Sequence, residues 1–283
     1  METPATTERA DAERGALLLP GLPGRPEPTP ATAEVLAEVP GYLGVPFVSP
    51  VFLALANWPD YLAPAWDAFK PVLGSAEFAA AAATLRIPAA LLPAPDPSLS
   101  AGDADTELIR RYTATFHRLL PQLLLLTSCW YRGLTAKARA ADPQAPAPGP
   151  RGIAPDAVDV TPDGSAPTPE LARVYEEIRT THDLPRVLSF YRALGNWPGF
   201  LPGVWDRLAP VARGTGYAAA REALLADAAA AAAGLPVPVI DTAAAEEARA
   251  ILALFRTRLI PVLFLDTAGV LALLGETDAI AAG

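Results

Sequence analysis

The sequence has few of the residues from which disulfides, metal sites and nucleic-acid surfaces are built. Its single cysteine, Cys129, has no partner within the chain, which excludes an internal disulfide and a cysteine-based metal site. Only two histidines are present, too few for a histidine-rich metal site. The net charge of −9 lacks the basic excess that nucleic-acid-binding proteins carry. We therefore expect no metal and no nucleic-acid partner.

From the sequence we also expect no secretory or membrane-spanning segment. The polar, acidic N-terminus has no basic stretch followed by an apolar core, which a signal peptide needs. The most apolar late run, 259–275, is shorter than the roughly 18 apolar residues of a membrane span and contains Asp266. It therefore predicts a buried helix. Together these features predict a soluble, cytoplasmic protein with no membrane partner.

One stretch of the sequence occurs twice, once in each half. ALANWPDYLAPAWD begins at Ala54 and ALGNWPGFLPGVWD begins at Ala193, so eight of fourteen positions are identical at a shift of 139 residues. The similarity continues to Phe78 at this shift, and at 140 residues it includes the segments RLLP and RLIP that end at Pro121 and Pro261. A repeat of this length predicts a duplicated domain rather than a solenoid.

The composition predicts an all-α fold. Alanine-rich segments such as YAAAREALLADAAAAAAG are strong helix formers, whereas alternating strand patterns are hard to find. We expect a disordered tail over 1–31, helical repeats over 32–135 and 168–283, and a Pro/Ala-rich linker over 136–167. The two repeats are expected to pack as an internal pseudo-dimer, in a protein that is a monomer or a homodimer.

Polar residues found in only one half are the better functional candidates, because residues shared by both halves most simply serve the shared fold. Asp266 replaces Leu126 among apolar neighbours, so a raised pKa would suit it to act as a general base or acid. Alternatively, it lies on the polar edge of the last helix. Arg192 replaces Leu53 and is either an anion clamp or a surface arginine. Asp183, before the second motif helix, is either a base or a helix cap.

Arg118 and Arg258 occupy matching positions, three residues before the two late prolines. Two arginines related by a pseudo-twofold axis could converge on one carboxylate of a ligand. The alternative is that each arginine lies on a solvated helix face. The sequence leaves both interpretations open.

The duplicated pattern ALxNWPxxLxxxWDxxxPV, the helical composition and a late Phe ahead of a Pro resemble the DehI-type, or group I, 2-haloacid dehalogenases. The resemblance covers both halves, from about residue 34 to residue 275, and is strongest over 194–212. It implies a pseudo-dimer of two helical repeats with the site between them. It also implies that an Asp activates water, which attacks C2 of a 2-halocarboxylate and displaces halide with inversion. No metal or organic cofactor is implied.

The pocket residues of this family fall partly on apolar residues of the present sequence. A pocket Trp and a pocket Phe of the first half fall on Phe47 and Pro50. An Asn of the first late helix falls on Leu120, and a Tyr of the second late helix falls on Thr257. The Ser that precedes the catalytic Asp is kept as Ser189. The resemblance thus implies a pocket that keeps part of its apolar lining and loses polar groups.

The family's catalytic Asp falls on Phe190 when the sequence is counted without gaps. A phenylalanine cannot take a proton from water, so the implied mechanism would need another base, Asp183 or Asp266. We expect an apolar pocket between the repeats that binds a small carboxylic acid or an apolar ligand. Three functions remain open: hydrolytic dehalogenation of 2-haloacids, ligand binding without catalysis, and a different chemistry that depends on pocket shape.

Overall fold

Helices make up all the regular secondary structure in the computed structural model, which describes residues 4–23, 26–135 and 149–281. No β-strand occurs in these residues, and the all-α prediction is confirmed. The first helices are α1 (Pro4–Leu18), α2 (Pro30–Leu43), α3 (Pro50–Leu55), α4 (Pro59–Leu73), α5 (Ala76–Ala82) and α6 (Asp103–Thr135). They are followed by α7 (Pro169–Thr181), α8 (Ser189–Leu194), α9 (Phe200–Ala212), α10 (Thr215–Ala233), α11 (Ala245–Leu254), α12 (Ile260–Leu273) and α13 (Thr277–Ala281).

Shorter helical turns link some of these elements. A π-helical turn (Phe255–Leu259) joins α11 to α12, and 3-10 turns occupy Leu19–Gly21 and Ala89–Leu91. Within the described ranges, no helix is both long enough and apolar enough to cross a membrane.

Proline and hydroxyl side chains determine where most of the helices begin. Proline occupies the first position of α2, α3, α4 and α7, where a missing N–H costs no hydrogen bond. The Thr29 hydroxyl accepts from the Thr32 N–H at 3.3 Å, and Thr168 caps α7 in the same way through the Leu171 N–H at 3.2 Å. The starts of α2 and α7 are 139 residues apart, as are those of α3 and α8.

The core is built around α6 and α12, which pack against each other. Almost every side chain of α12 is buried, as expected of a helix that is apolar on all sides. Trp66 and Trp205, from the two copies of the repeated stretch, are also buried. Their indole N–H groups donate to Glu38 at 2.6 Å and to Glu177 at 3.2 Å. Each tryptophan therefore buries its rings while its one donor is satisfied.

The N-terminal segment differs from the disordered tail that the sequence predicted over 1–31. Residues 4–18 form α1, which packs along α11, and Arg14 pairs there with Glu246 at 2.8 Å. The prolines after residue 19 suggested an extended chain, but the alanines, glutamates and arginines before them favour helix. The contacts with α11 include ion pairs between distant parts of the chain, which the segment's own sequence did not reveal.

Residues 149–167 are the described part of the predicted linker, and they contain no regular secondary structure. They nevertheless lie against both flanking parts of the chain. The Gly152 N–H donates to the Gly41 carbonyl at 3.0 Å, and the Asn196 side chain donates to the Thr161 carbonyl at 2.9 Å. The rest of the predicted linker, 136–148, lies outside the described residues. The division into two repeats stays a prediction.

Candidate functional site

A cavity of about 220 Å³ lies between α3, α6, α8 and the start of α12. Leucine, isoleucine and phenylalanine side chains form most of its wall, among them Phe47, Leu120 and Ile260. The Phe47 ring stacks on the Phe116 ring at a centroid distance of 4.9 Å, so both rings hold a fixed place in the wall. Such a surface favours the apolar part of a small ligand.

Two arginines provide the positive charge of the cavity edge, Arg186 before α8 and Arg192 within it. Both are exposed, and neither forms an ion pair within the described part of the chain. Although Arg186 is exposed as a residue, partial desolvation of its guanidinium group lowers its pKa, and the like charge of Arg192 lowers the pKa further. Two guanidinium groups that repel each other without a carboxylate between them form an environment that attracts an anion.

Five of the predicted binding residues line this cavity: Phe47, Pro50, Leu120, Ser189 and Arg192. The sequence analysis did not select Arg186. A signal was present, because Arg186 replaces Phe47 at the 139-residue shift and is thus a charged residue found in only one half.

Phe190 and Thr257 do not line the cavity. The Phe190 ring is fully buried behind the wall, where it stacks on Tyr112 at 5.7 Å and packs against Phe116 at 5.3 Å. The Thr257 hydroxyl donates to the Ala253 carbonyl at 2.7 Å, within its own helical segment. Both residues are therefore occupied with packing or with a local hydrogen bond.

Asp183 lies outside the cavity. Its side chain is 85% exposed, and one of its oxygens pairs with Arg258 at 2.9 Å. Its backbone has a positive φ of 51°, which places it in the turn after α7. Arg118 pairs instead with Asp156 at 2.5 Å. The two matching arginines thus bind different carboxylates of the chain and do not converge on one ligand site.

Asp266 is buried in a closed polar network away from the cavity. One oxygen accepts from the Tyr191 hydroxyl at 2.7 Å and lies 3.0 Å from His182 Nε2, and the other accepts from the Tyr217 hydroxyl at 2.7 Å. Burial raises the pKa of Asp266, but the electrostatic interaction and hydrogen bond with His182 and the two tyrosine hydroxyls outweigh it. The pKa therefore lies below its ordinary value, and the predicted upward shift is wrong.

The cavity offers binding groups rather than a base. Within the described residues, no Asp, Glu or His side chain lines it, and its uncharged polar side chains are Ser49 and Ser189. A serine hydroxyl without a neighbouring base is a weak nucleophile. No group of three His, Cys, Asp or Glu side chains in the described ranges is arranged to hold a metal ion. The arrangement suits the capture of an amphipathic anion.

Comparisons with known proteins converge on one family. The model of the family described as halocarboxylic acid dehydrogenase DehI matches residues 46–191. An (R)-2-haloacid dehalogenase from Pseudomonas putida is 27% identical over 218 residues, which cover 72% of this chain and 72% of that protein.

Solved structures share the fold. A D-2-haloacid dehalogenase mutant gives a TM-score of 0.72 at 22% identity, covering 90% of this chain and 95% of its own. The complex of a D-2-haloacid dehalogenase with L-LA gives a TM-score of 0.72 at 23% identity, covering 89% of this chain and 99% of its own. The complex of a D-2-haloacid dehalogenase mutant with D-2-CPA gives a TM-score of 0.71 at 24% identity, covering 88% of this chain and 95% of its own. At these identities the structures show a shared fold alone.

Proposed function

Because the chain belongs to the DehI family, we propose that its cavity binds a small carboxylic acid, with the carboxylate at Arg186 and Arg192 and the apolar part inside. The observation that carries this proposal is the pair of arginines, without carboxylate partners in the described residues, at the edge of an apolar cavity. The relatives support the ligand class, since two solved relatives are complexes with L-LA and D-2-CPA.

The size of the cavity favours an acid with more carbons than a three-carbon haloacid. An apolar cavity of roughly 150 Å³ takes benzene, which has six non-hydrogen atoms. By the same ratio, 220 Å³ has room for about nine such atoms. Heptanoate has this number, whereas 2-chloropropionate has about six. The proposed ligand is therefore a monocarboxylic acid with an apolar chain of about six carbons beyond its carboxylate.

We further propose that the cavity lies on the pseudo-twofold axis of two repeats. Most lining residues form pairs at shifts of 139 and 140, such as Leu119 with Leu259. The starts of α2 and α7, of α3 and α8, and of α5 and α10 also repeat at a shift of 139. Arg186 and Arg192 replace Phe47 and Leu53, so one side of the site is charged where the other is apolar. This asymmetry would give a bound acid one orientation.

The proposed function is binding without the water-activating step that the family resemblance implies. By the family resemblance, counted without gaps, the catalytic Asp falls on Phe190, and both alternative carboxylates, Asp183 and Asp266, lie outside the cavity. A general base must reach the proton that it removes, directly or through one water molecule. These placements support capture of an acid in preference to hydrolysis of a carbon–halogen bond.

Neutralising both cavity arginines, R186Q with R192Q, is expected to weaken heptanoate binding by roughly ten- to a hundredfold in isothermal titration calorimetry. The reason is the loss of charge-assisted hydrogen bonds to the carboxylate. Binding of 1-heptanol, which has no carboxylate, should change by less than about twofold.

The matched control is R173Q with R179Q, which removes the same charge from α7, away from the cavity. This control should bind heptanoate with an affinity close to that of the wild type, because its two arginines pair with glutamates of their own helix. The proposal is contradicted if the cavity double variant keeps wild-type affinity for heptanoate, or if the control loses as much as the cavity variant.

A further inference from the structure

Leu19 contributes to the cavity from outside the two proposed repeats. It begins the 3-10 turn after α1, its side chain is 1% exposed, and it is part of the cavity wall. Every other lining residue among those described lies between Phe47 and Leu263. One apolar side chain from the N-terminal segment therefore covers a cavity that the rest of the chain forms.

The segment that carries Leu19 is attached to the rest of the protein through charged groups as well as through apolar side chains. Asp11 pairs with Arg249 at 2.9 Å and accepts from the Tyr131 hydroxyl at 2.9 Å. Arg14 pairs with Glu246 at 2.8 Å. In α1, Ala12 is a buried apolar residue, and Leu17 is 83% exposed. Ala16 and Leu18 are partly buried against the core as well. Because two of these three apolar side chains are alanines, undocking α1 from α11 exposes a limited apolar surface.

A buried arginine connects α1 directly to the wall of the cavity. Arg256 is 6% exposed, pairs with Glu8 of α1, and donates from Nε to the Ser128 hydroxyl at 2.9 Å. Arg256 lies in the π-helical turn that runs from Phe255 to Leu259. Phe255 and Leu259, the two ends of this turn, both line the cavity. The position of α1 and the shape of the cavity wall are therefore coupled.

The helices α1 and α11 approach each other closely at a glycine. A Cβ atom on Gly15 would lie 2.2 Å from the Ala250 carbonyl oxygen and 2.9 Å from the Leu254 Cβ. A larger residue at position 15 would thus force α1 away from α11. Since Leu19 follows α1 immediately, such a displacement would also withdraw Leu19 from the cavity.

We propose that Leu19 closes the cavity and determines the length of the ligand that it accepts, with α1 acting as a lid. The identity of the ligand as an acid rests on the proposed function, whereas the role of Leu19 as the closing residue does not. A shorter side chain at this position would leave space at the end of the apolar chain of the ligand. Leu→Ala removes about three carbon atoms from the wall, so the ligand that fits best becomes longer by about three carbons.

The test uses calorimetry to measure the binding of straight-chain carboxylates and of the matching 1-alkanols. The ligands have roughly four to ten carbons, the range that the cavity size suggests. It compares the wild type, L19A and L17A, the last being a control on the exposed face of the same segment. Wild type and L17A should bind best at about seven carbons, and L19A at about ten. In L19A, each added methylene beyond seven should strengthen binding by roughly fourfold.

The outcomes separate this inference from the proposed function. If acids bind the wild type and the best length is unchanged in L19A, the role of Leu19 is overturned and the ligand class stands. If only the alkanols bind and their best length shifts, the ligand class falls and the role of Leu19 stands. If neither series binds the wild type, both proposals are overturned.

A second variant, G15V, tests the lid without removing Leu19. Trypsin should cut after Arg9 or Arg14 roughly tenfold faster than in the wild type, because α1 no longer docks on α11. The rest of the chain should keep its helical circular dichroism, and the preference for seven carbons should disappear. A G15V protein with an undocked α1 and an unchanged length preference would overturn the inference.

Discussion

Replacing Asp266 by leucine is expected to lower the free energy of unfolding by about 3 to 5 kcal/mol. The carboxylate is 2% exposed and is surrounded by His182, Tyr191 and Tyr217, each within hydrogen-bonding distance. Its loss leaves His182 and Tyr191 without their partner, whereas the Tyr217 hydroxyl keeps the Val262 carbonyl at 3.2 Å. Each buried group left without a partner carries a desolvation cost of about 1 to 3 kcal/mol. Urea unfolding at pH 7, followed by circular dichroism, measures the difference. A D266L protein within about 1 kcal/mol of the wild type would show that the network contributes little.

The repeat itself supplies the control for this experiment. At the shifts of 139 and 140, the four network positions correspond to Leu43, Phe52, Phe78 and Leu126, all of them buried. The quadruple variant H182L, Y191F, Y217F and D266L therefore installs the apolar set of the first half. Removing all members of a buried polar network is often close to neutral, whereas removing one member is costly. The quadruple variant should recover more than half of the stability that D266L loses.

Acid should act on the same network in the wild type. The pKa of Asp266 is lower in the folded protein than its ordinary value of 3.8, so the folded state binds this proton less readily than the unfolded chain does. The contribution to stability is complete above the unfolded-state pKa and is lost as the pH falls through the folded-state value. The wild type should therefore lose more stability than the quadruple variant below about pH 4.

The helical class and five of the residues that line the cavity could be predicted because local sequence carries that information. The NWP segments fix the numbering of α3 and α8, so Phe47, Pro50 and Ser189 were placed by counting from a nearby anchor. Thr257 lies outside the wall of this cavity for a physical reason. It lies in a π-helical turn, which holds more residues than an α-helical turn and changes the direction in which each side chain points.

The environment of Asp266 could not be predicted from local pattern, because its partners come from separate elements. His182 follows α7, Tyr191 lies in α8 and Tyr217 lies in α10. Apolar neighbours in sequence suggested a desolvated carboxyl with a raised pKa, whereas donors brought by the fold lower it. A signal did exist in the duplication, since four positions are polar in one half and apolar in the other. A lone asymmetric residue suggests a site, but four that meet in space suggest a structural network.

Introducing the family's carboxylate by F190D is expected to destabilise the protein by at least about 4 kcal/mol and to produce no halide release from (R)- or (S)-2-chloropropionate. The Phe190 side chain is fully buried between aromatic rings and does not line the cavity. A carboxyl group there would be surrounded by the Tyr112 and Phe116 rings, so burial raises its pKa and favours the neutral acid. A neutral carboxylic acid cannot take a proton from water.

The measurement combines urea unfolding with a halide assay on wild type, F190D and F190L. F190L keeps an apolar side chain of similar size, so it should lose only about 1 to 2 kcal/mol and retain heptanoate binding. Halide release by the wild type would contradict the proposed function, because the described cavity lining holds no base. Halide release by a folded F190D protein alone would show that position 190 reaches the cavity when it carries a carboxylate. The buried position behind the cavity wall would then hold for phenylalanine at this site but not for aspartate. A single substitution would convert a protein that captures acids into one that dehalogenates them.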